Sequence, residues 1–261
     1  MLQTQAHGQG HPVLVFIHGF SCDLSDWKDV VPLLSVSHRC LTVDLPGHGH
    51  SPAARPLSVE SCAMALNETL DEMGLDDVVL IGHSMGCRVA CEAASRSGGR
   101  VRGIVCIDGS RVNGAGALEK LERRLAPAGA MAQFLPGFYE DFYIDATPPA
   151  VRAFINARRD RMDHELAREL LLNFIRWDAA AAVAALARIR APLLVIQSTA
   201  LDANMKRVPI PPGTETPWMA AVRAGVPGAR FEIMQGVGHF PMLEAPAATA
   251  KLIAAFLNTA G

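Results

Sequence analysis

Short runs rich in aliphatic residues recur along the chain, separated by longer stretches in which apolar residues have helical spacing. Such runs are typical of strands buried on both faces of a parallel sheet. The six runs span residues 13–17, 39–43, 78–81, 101–107, 192–196 and 230–234. The pattern therefore predicts a sheet made largely of central, buried strands.

Helical stretches lie between these runs. Ser58 can cap a helix that we predict to extend to about Met73, where Gly74 ends it. Further helices are predicted after the runs at 78–81 and 230–234. Because strand and helix alternate, we predict an α/β fold with a mostly parallel, doubly wound sheet and helices on both faces.

The alternation stops after Ser110. Residues 111–172 contain helical patterns but no strand run. We therefore predict a core domain formed by residues 1–110 and 173–261, and a helical lid formed by residues 111–172. An insertion at this place in a parallel sheet is expected to lie over the strand ends.

Composition narrows the class of function. The 261 residues carry a net charge of -2, and no long basic run suggests a nucleic acid or membrane partner. No apolar run reaches the ~18 residues that span a bilayer. The six cysteines form no C-x-x-C pair, and no signal-peptide pattern opens the chain. We expect reduced thiols and a soluble cytoplasmic protein.

The clearest chemical motif is G-x-S-x-G, formed by Gly82, Ser84 and Gly86. It follows a strand run and opens a helix, which is the context of a nucleophile elbow. The turn is too sharp for side chains at the two glycines. The Ser84 hydroxyl is then presented at the strand end, and the Met85 N–H points to where an oxyanion would form. The motif predicts Ser84 as a nucleophile.

Four segments in order resemble the α/β-hydrolase superfamily along nearly the whole chain. They are His18-Gly19, the D-x-P-G-H-G-x-S stretch at 44–51, the elbow around Ser84, and Gly238-His239-Phe240. The resemblance implies that His239 is the base for Ser84, with His18 and His83 as second choices and His48 as a structural residue. It also implies that the backbone N–H groups of Phe20 and Met85 form the oxyanion hole.

The resemblance also carries an expectation about the sheet. The first clear strand run begins at residue 13, which leaves little chain for the family's opening hairpin. We therefore expect seven strands or fewer, not eight.

The acid of the catalytic triad has two candidates. The family places it after either of two strands, and the chain offers Asp108 after one and Asp202 after the other. Asp202 comes one residue later than the common G-x-x-D spacing, with Ser198 in the glycine's place and a long Pro-rich loop after it. We predict Asp108, with Asp202 as the alternative acid; either would orient the His239 ring.

Aromatic residues concentrate in the predicted lid. Phe138, Tyr139, Phe142 and Tyr143 are expected to line the substrate pocket, and a small core of the insertion is the alternative interpretation.

We predict a serine hydrolase that cleaves a small carboxylic ester or lactone through an acyl-enzyme. The alternatives are a carbon–carbon bond hydrolase, a cofactor-free dioxygenase, which the 197–199 loop slightly resembles, and a ligand receptor with slow turnover. A small-molecule substrate is expected, without cofactor or metal.

Overall fold

The computed structural model describes residues 1–53, 55–112 and 116–259. The strands are β1 (Thr4–His7), β2 (Val13–Ile17), β3 (Cys40–Val43), β4 (Val78–His83), β5 (Val101–Ile107), β6 (Leu193–Gln197), β7 (Thr199–Leu201), β8 (Arg207–Pro209) and β9 (Arg230–Ile233). Seven of them form one sheet in the order β1-β3-β2-β4-β5-β6-β9. All neighbours in it are parallel except β1, which pairs antiparallel with β3. The predicted fold class and strand number are confirmed.

Helices connect the strands. They are α1 (Val31–Leu34), α2 (Val59–Glu72), α3 (Met85–Ser95), α4 (Ala117–Leu125), α5 (Ala130–Glu140), α6 (Pro149–Arg159), α7 (His164–Ala180), α8 (Ala182–Arg188), α9 (Pro217–Gly225), α10 (Pro241–Glu244) and α11 (Pro246–Leu257), with a 3-10 helix at Leu24–Trp27. The described residues between β5 and β6 form only helices, α4 to α8. Residues 113–115 of the predicted lid lie outside the described residues, and its predicted end at 172 falls inside α7.

The order of the strands creates a switch point between β2 and β4. After β2 the chain moves outward to β3, and after β3 it crosses to β4 on the other side of β2. Right-handed crossovers then place α1 on one face and α2, α3, α8 and α9 on the opposite face. In such sheets, ligands bind outside the carboxyl ends of the strands at the switch point.

The central strands β2, β3 and β4 are buried along their whole length, as their continuous aliphatic runs predict. Ser58 caps α2 as predicted, because its side chain accepts a hydrogen bond from the Ser61 amide. The sheet is therefore a rigid base for the loops at its carboxyl edge.

The long loop after β6 differs from the prediction. It contains the antiparallel hairpin β7–β8, whose strands have three residues each and pair Thr199 with Pro209. Strands this short leave no periodic signal in a sequence.

Among the described residues, no single helix combines the length and apolar character needed to cross a bilayer. Only α7 and α8 taken together, bent by 66°, meet that requirement by length and composition.

Candidate active site

Ser84 lies at the switch point, on the sharp turn between β4 and α3. Its backbone has φ 52° and ψ −113°, a conformation that an L-residue rarely adopts. A Cβ atom at Gly82 would lie 2.3 Å from the Gly86 carbonyl oxygen, and one at Gly86 would lie 2.4 Å from the Ile17 carbonyl oxygen. Only glycine fits at these two positions, so the elbow motif has the physical basis that the sequence predicts.

The structure brings Ser84, His239 and Asp108 into one hydrogen-bonded line. His239 Nε2 lies 3.1 Å from Ser84 Oγ, and His239 Nδ1 lies 2.7 Å from Asp108 Oδ2. The carboxylate accepts from Nδ1–H, which leaves the Nε2 lone pair directed at the serine hydroxyl. This is the arrangement in which an imidazole can take the serine proton.

The loop that carries His239 is held on both sides of the histidine. The Glu244 carboxylate accepts from the amides of Gly238 and Phe240, both at 3.0 Å. His83 Nε2–H donates to the His239 carbonyl oxygen at 2.7 Å. Burial lowers the pKa of His83 well below its usual range, so this ring is neutral and acts as a donor at a fixed position.

Asp108 is fully buried at the end of β5 and accepts six hydrogen bonds. Oδ1 accepts from Gln197 Nε2 at 2.9 Å and from the amides of Ser198 and Thr199 at 2.9 and 2.8 Å. Oδ2 accepts from Thr199 Oγ1 at 2.6 Å, Arg207 Nη1 at 2.9 Å and His239 Nδ1 at 2.7 Å. The carboxylate is therefore fixed in position from all sides.

These contacts determine the charge states. Burial alone would raise the pKa of Asp108, but Arg207 and the hydrogen bonds from His239 and Thr199 hold it well below its usual range. Burial and the positive charge of Arg207 together lower the pKa of His239 to about 4, against the opposing effect of Asp108. At neutral pH the site holds an ionised aspartate beside a neutral histidine.

Asp202, the alternative acid, lies in a different environment. It is half-buried in the turn between β7 and β8, where its Oδ1 accepts from the amides of Asn204 and Lys206 at 2.8 and 2.9 Å. Its carboxylate is thus used to close its own turn. Of the two candidates, the structure brings only Asp108 into contact with His239.

The Phe20 amide follows the end of β2, and the Met85 amide begins α3. Two imidazoles hold the loop around Phe20: His18 Nε2 accepts from the Leu45 amide at 3.0 Å, and His48 Nε2 accepts from the Ser21 amide at 3.2 Å. Burial lowers the pKa of His18 to about 3, so that ring is neutral. His18 and His48 therefore stabilise this loop, whereas the histidine in hydrogen-bond contact with the Ser84 hydroxyl is His239.

The four aromatic residues of the insertion divide into two pairs. The half-buried rings of Phe142 and Phe138 lie beside the site: Phe142 is 5.2 Å from the His239 ring and Phe138 is 5.9 Å from the Phe20 ring, between centroids. Tyr139 and Tyr143 are buried and bound by their hydroxyls, Tyr139 to Ser21 and Tyr143 to Asn156. The two tyrosines are thus held inside the protein, and the lining of a substrate pocket stays a prediction for Phe138 and Phe142.

Sequence reasoning did not identify Gln197, Thr199, Arg207 and Glu244 as contacts of the site. Arg207 follows Lys206 in a Pro-rich loop, where a basic residue is ordinarily solvated, so no local signal marks it. The described residues contain no cluster of three or more His, Cys, Asp or Glu side chains arranged to hold a metal ion.

A serine on a strained strand-to-helix turn, at the switch point of a doubly wound parallel sheet, defines the α/β-hydrolase fold. The chain belongs to the alpha/beta hydrolase family, whose sequence profile matches residues 14–252.

The known relatives cover several activities. The chain is 35% identical to the 2-succinyl-6-hydroxy-2,4-cyclohexadiene-1-carboxylate synthase of Escherichia coli over 137 aligned residues. The alignment covers 52% of this chain and 54% of that protein. The chain thus spans about half the length of the curated relatives it matches.

Solved structures resemble it over nearly the whole chain. The enol-lactonase of Burkholderia xenovorans aligns with a TM-score of 0.80 at 23% identity, covering 98% of this chain and 96% of the other. A thermophilic esterase of Thermogutta terrifontis aligns with a TM-score of 0.78 at 24% identity, covering 99% and 93%. At these identities the likeness is one of fold.

Proposed function

We propose that the protein is a serine hydrolase that cleaves a small carboxylic ester or lactone, with Ser84 as nucleophile, His239 as general base and Asp108 as the triad acid. One observation carries the proposal: His239 lies within hydrogen-bond reach of both Ser84 and Asp108. A serine hydroxyl is too weak a nucleophile without such a base. The folds shared with an enol-lactonase and an esterase support the reaction class only together with this geometry.

The reaction has two steps. Ser84 Oγ attacks the substrate carbonyl carbon while His239 Nε2 takes its proton, and the amides of Phe20 and Met85 stabilise the oxyanion. The imidazolium then protonates the departing alcohol, which leaves an acyl-enzyme on Ser84. A water molecule, deprotonated by His239, then attacks this ester. The bond between Ser84 Oγ and the acyl carbon breaks, the imidazolium returns its proton to Oγ, and the acid is released. Asp108 stays ionised and stabilises the imidazolium in both steps.

The substrate pocket in this proposal is apolar on the side of the insertion. Phe138 and Phe142 face Phe20 and His239, and the Phe174 ring lies 6.1 Å from Phe20 between centroids. We include residues 111–172 as the lid, because α5 and the turn after it carry the aromatic rings that cover His239. The proposal also includes a cytoplasmic location and a small, mainly apolar substrate.

A cofactor-free dioxygenase is the second candidate. Residues 197–199, which slightly resemble that group, supply four of the hydrogen bonds to Asp108. In this candidate His239 would deprotonate the substrate, and molecular oxygen would be the second reactant. A comparison of turnover with and without oxygen separates the two functions.

The reaction of the synthase relative receives less support. The name of that enzyme describes a carboxylate product, and an anionic ligand would need a cation near Ser84. Arg88 lies one helical turn after Ser84, but its Nε and Nη2 donate to Asp178 at 2.8 and 2.6 Å. This internal pair favours a neutral substrate.

The test is hydrolysis of p-nitrophenyl esters of rising acyl length by wild type, Ser84→Ala and the control Ser95→Ala. Ser95 also lies on α3, where its hydroxyl donates to the Glu92 carbonyl oxygen and accepts from Arg188. Ser84→Ala should lose at least ~10³-fold in turnover while Ser95→Ala stays near wild type. Wild-type turnover by Ser84→Ala, or fluorophosphonate labelling of another residue, would contradict the proposal. Labelling without sustained turnover on any ester would indicate the slow receptor.

A further inference from the structure

Arg207 is a buried cation in contact with the acid of the proposed triad. It begins β8, its side chain is 4% exposed, and its Nη1 donates to Asp108 Oδ2 at 2.9 Å and to Thr199 Oγ1 at 3.0 Å. The hairpin β7–β8 thus delivers a positive charge to the carboxylate on which His239 depends. An orienting carboxylate needs no such partner, because its own negative charge stabilises the imidazolium.

We propose that Arg207 is a positioning residue for the reaction: it fixes the Asp108 carboxylate in line with His239, and its positive charge opposes protonation of the imidazole. The inference rests on the proposed function, since it assigns a role within the same triad.

The charges around His239 agree in sign with this role. Asp108 Oδ2 contacts Nδ1, Arg207 donates to that same oxygen, and Arg88 on α3 adds a second, weaker positive influence. The neutral His83 ring lies beside that of His239, tilted by 46° with a centroid distance of 4.7 Å, and Glu244 accepts hydrogen bonds from the backbone beside His239. Arg207 is therefore the nearest charge that offsets the attraction of Asp108 for an imidazolium.

The same arginine links the acid to the aromatic cover of the site. The backbone amide of Arg207 donates to the Asp141 carbonyl oxygen at 2.7 Å. Phe142, the residue after Asp141, lies against the His239 ring. The hairpin is thus fixed between the triad and the insertion. Movement of Arg207 would be transmitted to both.

The direct test is the pKa of His239 in Arg207→Met, measured from the pH dependence of the imidazole signals in ¹⁵N-histidine-labelled protein and assigned with His239→Gln. Without Arg207, the backbone and Thr199 donors still keep Asp108 ionised, so its charge acts on His239 unopposed. The pKa of His239 should rise by ~1 unit or more. The acid limb of kcat/KM should move by the same amount, and kcat should fall by ~10 to 10²-fold.

Three further variants separate this role from a structural one. Arg207→Lys keeps the charge and should restore the acid limb to within ~0.5 unit of wild type, while kcat stays lowered. Arg158→Met removes a side chain of equal burial that pairs with Asp26, and should destabilise the fold without moving the His239 titration. If Arg207→Met does not fold, Arg207→Gln, which keeps a donor for Asp108, replaces it.

An unchanged pKa of His239 in a folded Arg207→Met or Arg207→Gln variant overturns the proposal. Equal shifts in Arg158→Met also overturn it, because they would reflect a general loosening of the fold. The titration does not require turnover. If Ser84→Ala retains wild-type hydrolysis, the proposed function fails by its own test and the His239 titration still reports separately on Arg207.

Discussion

The chain carries one candidate acid directly after β5 and another in the hairpin that follows β6, and the two carboxylates lie in opposite environments. Asp108 is fully buried and accepts six hydrogen bonds, including one from His239. Asp202 is half-buried, and its carboxylate accepts hydrogen bonds from two amides of its own turn. A carboxylate at a strand end is thus not sufficient for a triad. The donors that surround it decide whether it stays ionised and in line with the histidine.

The difference is produced by the loop after β6. At the end of β6 the chain has Gln197, Ser198 and Thr199, which supply donors to Asp108 at the end of the neighbouring strand β5. The residues at the end of β6 therefore hold the carboxylate at the end of β5 in position. Substitutions at each end test this division of roles.

The largest effect is expected at Asp108. Asp108→Asn should lower turnover by ~10³ to 10⁴-fold, because an amide no longer holds the His239 imidazole in the required tautomer. It also leaves Arg207 without its ionic partner, so stability should fall as well. Steady-state kinetics measure the first effect and thermal unfolding the second.

Asp26→Asn is the matched control for Asp108→Asn, since Asp26 is another fully buried carboxylate paired with an arginine, Arg158. It should lose stability but retain most of its turnover per folded molecule. Similar kinetic losses in both variants would show that burial, and not the contact with His239, makes Asp108 important.

A smaller effect is expected at Thr199, whose hydroxyl donates to Asp108 Oδ2 at 2.6 Å. Thr199→Val should lower kcat by ~10-fold and destabilise the fold by ~1–2 kcal/mol, since five donors to the carboxylate remain. Thr69→Val removes an equally buried hydroxyl on α2 and should change stability alone. A Thr199→Val variant with wild-type kcat would show that this hydroxyl is not needed to hold the Asp108 carboxylate in position.

Phe142, whose ring lies against that of His239, should affect the preferred acyl length more than it affects kcat. Phe142→Ala opens space beside the imidazole and should shift the preferred acyl length upward, with only a few-fold change in kcat on the best ester. Phe154→Ala, which removes a half-buried ring of the insertion packed against Lys28 and Arg158, should leave the preference unchanged. A large loss of stability in Phe142→Ala with unchanged preference would make Phe142 a core residue.

The smallest effect is expected at Asp202. Asn retains the Oδ1 acceptor for the amides of Asn204 and Lys206, so Asp202→Asn should stay within ~3-fold of wild-type turnover and ~0.5 kcal/mol of its stability. A loss that approaches that of Asp108→Asn would reverse the comparison.

The sequence predicts the sheet well because each buried strand carries a continuous aliphatic run and each crossover a helical pattern. It also predicts the sharp turn at Ser84, because Gly82 and Gly86 are positions at which a Cβ atom would clash with neighbouring backbone. Arg207 and Thr199 escape prediction because their contacts depend on a hairpin with strands of three residues. Phe142 and Tyr143 are adjacent in sequence, and only the packing of the insertion separates the ring beside His239 from the one bound to Asn156.

The neutral imidazoles buried under the active-site loops have a consequence for the folding equilibrium. Free histidine side chains protonate near pH 6.5, whereas burial holds the pKa of His18 at about 3 and that of His239 at about 4. Between these values the unfolded chain binds more protons than the folded one, so stability must decline as pH falls from about 6.5 toward 4, by up to ~1.4 kcal/mol per pH unit for each such group. Urea unfolding across this range would measure the decline. The loss of stability should therefore begin about two pH units above the pH at which His239 of the folded protein takes up its proton.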